Sequence, residues 1–130
     1  MARVTVVNDN PEFLELMREV LEDERYDTTT IDGLRDDALD AVRSSRPELV
    51  ILDLRLSSDG LLGWDLAREI RRDQQFEDLP VLLCSADLQA LRDVEGELAG
   101  QRAVEVLAKP FGIDELTAVV DRLLAGSGRS

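Results

Sequence analysis

At 130 residues the chain has room for one domain with a real core and too little for two. A net charge of −13 repels phosphate backbones and anionic membrane surfaces, which argues against direct nucleic-acid or membrane binding. A single cysteine excludes an internal disulfide, and the absence of histidine removes imidazole catalysis and most zinc sites.

Arg3 to Val7 reads as a short apolar strand, too short for a signal-peptide core and followed by acids. Asn10 is placed to cap a helix that starts on Pro11, where a missing N–H has no consequence. Phe13, Leu16, Met17, Val20 and Leu21 then recur at helical spacing. Tyr26 to Ile31 is β-branched and reads as a second strand, its threonines suggesting a sheet edge. Asp32-Gly33 is a turn, and Leu34, Ala38, Ala41 and Val42 mark a second helix that Arg46-Pro47 ends. Leu49 to Leu52 is an unbroken apolar run, the pattern of a strand covered on both faces. Asp53 follows it directly. Ser57 to Gly60 is a loop, and Gly63 is a turn residue before a third helix with Leu66, Ala67 and Ile70 inward. Trp64 reads as half-buried packing at that helix start. Val81 to Cys84 is the fourth strand, with Cys84 a core residue. Leu91, Val94 and Leu98 suggest a fourth helix, and Val104 to Leu107 a fifth strand. Ile113, Leu116, Thr117, Val120, Leu123 and Leu124 give the cleanest helical stripe. Residues 125–130 read as a flexible tail after a unit spanning 1–124. No apolar run approaches membrane-spanning length.

Strict alternation of five βα units predicts a parallel sheet with helices on both faces and right-handed crossovers. The commonest order for five such strands is 2-1-3-4-5, with a switch point between strands 1 and 3. Ligands in this architecture bind beyond the carboxyl ends of the strands. The polar residues at those ends are Asn8 and Asp9, Asp53, Ser85, and Lys109. Asp9 and Asp53 are expected to face each other across the switch point. Two such close carboxylates need one raised pKa or a bound cation. Magnesium suits one or two carboxylates with retained waters and phosphate oxygens. A cation, an ammonium and a hydroxyl together suit a phosphoryl group in transfer, and a carboxylate nucleophile then forms an acyl phosphate. Lys109 is the only lysine among 15 basic residues, so one compact ammonium stands out in a chain that otherwise uses arginine.

These pieces resemble the receiver domain of bacterial two-component response regulators, a flavodoxin-like fold. The matching stretches are Val6-Val-Asn-Asp-Asn-Pro11, Leu49-Val-Ile-Leu-Asp-Leu54, Cys84-Ser-Ala86 and Lys109-Pro-Phe111, in family order. The resemblance covers about residues 3 to 124. It implies that Asp53 is the phosphoacceptor and that Ser85 and Lys109 contact the phosphoryl group. It also implies a Mg2+ site made by Asp9, Asp53 and the backbone carbonyl of Arg55, with Asn8 meeting the ion through water. The expected partners are a sensor histidine kinase or phosphotransfer protein and a downstream protein. A cytoplasmic location and a monomer or weak homodimer are expected.

The chain departs from the family pattern in three places. Asn8 replaces the first residue of the usual acidic pair, which removes a charge. Val106 stands where the switch aromatic is expected, so the readout must use something else or be muted. Ser57 replaces a proline in a loop that is about two residues longer before Gly63, within the variation that surface loops tolerate. Arg55 and Asp87 follow adjacent strand ends with opposite charges and are expected to approach across the mouth. No output domain follows Leu124, so the unit acts through protein contacts alone or an effector portion lies beyond this sequence.

Three other readings compete. A phosphatase of aspartyl-phosphate type needs a second acid two residues after the nucleophile, where this chain has Arg55. A flavin carrier needs a hydroxyl-rich phosphate loop where this chain has Asn8-Asp-Asn10. A receiver that no longer takes a phosphoryl group, serving as a docking module, draws on Asn8 and Val106.

Overall fold

The computed structural model describes residues 2–33, 37–54, 62–98 and 104–125. The strands are β1 (Arg3–Asn8), β2 (Asp27–Asp32), β3 (Leu49–Asp53), β4 (Val81–Ser85) and β5 (Val104–Ala108). They alternate with helices α1 (Pro11–Asp23), α2 (Ala38–Ser45), α3 (Leu62–Arg72), α4 (Leu88–Leu98) and α5 (Ile113–Ala125). The sheet order is β2-β1-β3-β4-β5 and every described pairing is parallel. The threonine-rich second strand is at an edge, as its composition suggests.

The apolar run of β3 works as expected for a strand covered twice. Leu49 and Ile51 join Val4, Val6, Met17, Leu21, Leu116 and Val120, under α1 and α5. Val50 and Leu52 join Val7, Val42, Leu66, Ile70, Leu91 and Val94, under α2, α3 and α4. Successive side chains alternate faces, so one short strand supplies both layers.

Strand ends run one residue further than periodicity suggests. Asn8, Asp53, Ser85 and Ala108 are each the last residue of a strand. The backbone continues the pattern beyond them: Leu54 N–H donates to Cys84 O at 2.8 Å, and Lys109 N–H to Ser85 O at 2.8 Å. Polar residues at these ends are therefore held on the sheet itself.

Gly63 lies inside α3 and is no turn residue. A Cβ there would strike the backbone carbonyl oxygen of Asp53 and come within 2.8 Å of Leu54 O. Only glycine permits the helix to start so close to the end of β3. Trp64 is buried at 7 % exposure, deeper than its expected half-burial. A short 3₁₀ turn, Gln74–Phe76, precedes β4 and was not legible from periodicity. Arg71 holds it by donating to the carbonyls of Phe76, Glu77 and Leu79. α5 continues through Ala125, while residues 126–130, Leu34, and the loop residues Ser57 and Gly60 lie outside the described residues.

Candidate functional site

Asp53 is placed by β3 and walled by the start of α3. Its side chain is only 13 % exposed. Lys109, just after β5, reaches it directly: Nζ donates to Asp53 Oδ2 at 2.6 Å. The peptide bond between Lys109 and Pro110 is cis. The ammonium also lies 4.2 Å from the centroid of the Phe13 ring, within cation–π range. Phe13 is braced edge-on by Phe111, with centroids 6.5 Å apart and planes at 78°. Phe13 thus serves the site as well as the helix stripe. Helical spacing marked it as core only, and nothing in the sequence pairs it with Lys109.

From β1 the side chain that contacts Asp53 is Asn8, whose Nδ2 donates to Oδ2 at 3.1 Å. Asn8 Oδ1 accepts the Asn10 backbone N–H at 2.8 Å. Asn10 in turn caps α1, its Oδ1 accepting from Glu12 N at 2.9 Å and Phe13 N at 3.3 Å. The capping role expected of Asn10 is observed, with Pro11 at the first helical position. Asp9 follows β1 by one residue and is exposed.

Ser85 ends β4 and is buried at 2 % exposure. Its Oγ accepts the Asp87 backbone N–H at 3.0 Å, and Asp87 Oδ1 accepts from Ala90 N at 3.0 Å at the start of α4. Asp87 is thus engaged as a helix cap. Arg55, expected opposite it and expected to offer a carbonyl to a metal, lies outside the described residues. Cys84 is a core residue: burial pushes its thiol up to about 12, while the nearby Lys109 charge pulls the other way. At that value it is a thiol and not a nucleophile at neutral pH.

The structure brings Asn8, Asp53 and Lys109 into direct contact, with Ser85 on the adjacent strand end and Asp9 at the rim. Among the described residues no group of three or more Asp, Glu, Cys or His is arranged as a metal cage. Asp9 follows the strand that pairs with Asp53's own, so carboxylates stand at the ends of neighbouring strands, a donor type that fits a dication keeping most of its waters.

A family model, the response regulator receiver domain, matches residues 4–121. The master transcriptional regulator RpaA of Synechocystis is 34% identical over 130 residues, covering 99% of this chain and 52% of its own length. The DNA-binding response regulator MtrA of Mycolicibacterium smegmatis is 38% identical over 118 residues, covering 91% of this chain and 48% of its own. The chain therefore spans about half the length of these relatives. Among solved structures, the response regulator TrrA of Thermotoga maritima in complex with Mg2+-BeF is similar at a TM-score of 0.77. It is 32% identical and the match covers 95% of this chain and 99% of that one. Sequence, fold and the order of the strand-end residues agree: the chain belongs to the response regulator receiver domain family.

Proposed function

We propose that this receiver domain is a phosphorylation switch that takes a phosphoryl group on Asp53 from a histidine kinase or phosphotransfer protein. The observation that carries the reading is the Lys109 Nζ–Asp53 Oδ2 contact of 2.6 Å at the carboxyl end of the sheet. In the transfer a carboxylate oxygen of Asp53 bonds to phosphorus as the P–N bond of a phosphohistidine breaks. The leaving imidazole keeps the electron pair and is then protonated. Lys109 offsets the negative charge that arrives with the phosphoryl oxygens. Ser85 offers a hydroxyl from the neighbouring strand: its Oγ accepts the Asp87 N–H, which leaves its own O–H to donate to a phosphoryl oxygen. Mg2+, when bound, supplies charge neutralisation at the transferring group. Asp53 and Asp9 are the residues that would hold it, with the Arg55 carbonyl proposed as a third donor.

A phosphoryl group adds about −1.5 to −2 charges in a site already lined by acids. The response is assigned to the part from Ser85 through α5, where strand ends and helices meet Lys109. Coupling between such a site and a partner surface is typically about 1–3 kcal/mol. With Val106 in the switch position, the readout goes through Ser85 and Lys109 without a moving aromatic ring. RpaA and MtrA are described as transcriptional or DNA-binding regulators, yet the −13 charge here favours protein partners over nucleic acid for this domain. No helix among the described residues is long and apolar enough to cross a membrane, and a cytoplasmic monomer or weak homodimer is the proposed state.

Incubation with Mg2+ and a small-molecule phosphodonor, followed by intact mass measurement, tests the reading. One phosphoryl group gained by the wild type and none by Asp53→Asn is the expected result. No gain from either the donor or the cognate kinase would instead assign the domain to docking without phosphorylation.

A further inference from the structure

Asn8 is buried at 2 % exposure, so both ends of its amide need partners inside the protein. The oxygen has one in the Asn10 backbone N–H, at 2.8 Å. An N–H bonds only to an acceptor, so this contact settles which end of the amide is which. The nitrogen then faces Asp53 and donates to Oδ2 at 3.1 Å. Turning the amide over would set donor against donor at Asn10 and oxygen against carboxylate at Asp53.

We infer that Asn8 is a positioning residue for Asp53, donating its amide N–H to the carboxylate and staying out of metal coordination. The inference rests on the phosphoacceptor reading of Asp53 and removes Asn8 from the metal set that the family resemblance implies. Asn8 and Lys109 both donate to Oδ2, so the chain itself orients and partly neutralises that oxygen. An acid at position 8 would meet Asp53 as a like charge and require a cation beside it. Asparagine makes the same contact attractive, and Asp53 is held in place with or without an ion.

The side-chain amide of Asn8 in 15N-labelled protein gives the direct test, assigned by its loss in Asn8→Ala. One Nδ2 proton is expected downfield and slow to exchange. It should move to the free-amide position in Asp53→Ala and stay downfield in saturating Mg2+. A free-amide signal in the wild type, or loss of the downfield signal when Mg2+ is added, overturns the inference. A Mg2+ titration followed by Trp64 fluorescence and backbone resonances adds a metal arm. Mg2+ that leaves the resonances of Asp9 and Asp53 unmoved would sink the metal part of the proposed function, while the amide signal still decides the role of Asn8.

Discussion

The two sides of Asp53 are built differently. Toward β1 and β3 the strands are closed: Val4, Val6, Val7, Leu49, Val50 and Leu52 are all at 0 % exposure. Toward the far edge, β5 has Val104, Glu105 and Val106 only partly buried, and Leu107 alone fully inside. The residue that bonds Asp53 from the closed side, Asn8, is part of the sheet. The residue that bonds it from the open side, Lys109, follows an edge strand. An edge strand with fewer buried contacts opens at lower free energy than the centre of a sheet. Asp53 is thus held from one side by a residue of a central strand and from the other by a residue that follows an edge strand, an arrangement that would suit the proposed switch.

The largest expected effect tests the fixed half. Gly63→Ala would ordinarily favour a helix by about 1 kcal/mol. Here its methyl meets the backbone of Asp53 and Leu54, neither of which is a flexible side-chain end. A loss of about 4 kcal/mol in urea unfolding is expected. A stable Gly63→Ala protein would show that α3 does not clamp β3.

A matched pair of truncations comes next. Leu52→Ala removes a fully buried side chain between two layers and should destabilise by about 3 kcal/mol. Val106→Ala, half-exposed near the edge, should lose no more than about 1 kcal/mol. Equal losses would erase the contrast between the halves.

Cys84 gives an effect confined to alkaline pH and the finest view, because β4 lies between the two sides. Its folded pKa of about 12 lies above the ordinary thiol value of 9.0. The raised value means that stability is fully present below pH 9 and falls as pH rises through 12, on the order of 1 kcal/mol per unit. Cys84→Ala should flatten that alkaline slope in denaturation curves. The thiol should also resist alkylation in the native protein, and labelling faster than global unfolding would show the β4–β5 side opening on its own.

Much of this was legible in the residues. The apolar run to Asp53 marked the central strand, and the strand-end polar residues put Lys109 on the same sheet edge as Asp53, though the residue expected to face Asp53 was Asp9. What periodicity could not show was where each ladder stops, because hydrogen bonding continues past the last apolar side chain at Asn8, Asp53 and Ser85. It could not show which way the Asn8 amide turns, since that depends on a backbone N–H two residues away. Gly63 read as a turn because sequence carries no sign of how near another strand's carbonyl lies. Phe13 read as helix core because a ring facing a lysine and a ring facing a leucine look the same in one dimension.

The ring of Phe13 beside the Lys109 ammonium has one more outcome. With its side chain only 22 % exposed, Lys109 is partly withdrawn from mobile ions, with aromatic carbon on one flank of the ammonium and Asp53 on another. Exposed pairs such as Arg68–Asp65 should fade as ionic strength rises. The Lys109–Asp53 contact should weaken less over the same range, giving the domain a setting that the surrounding electrolyte tunes only a little.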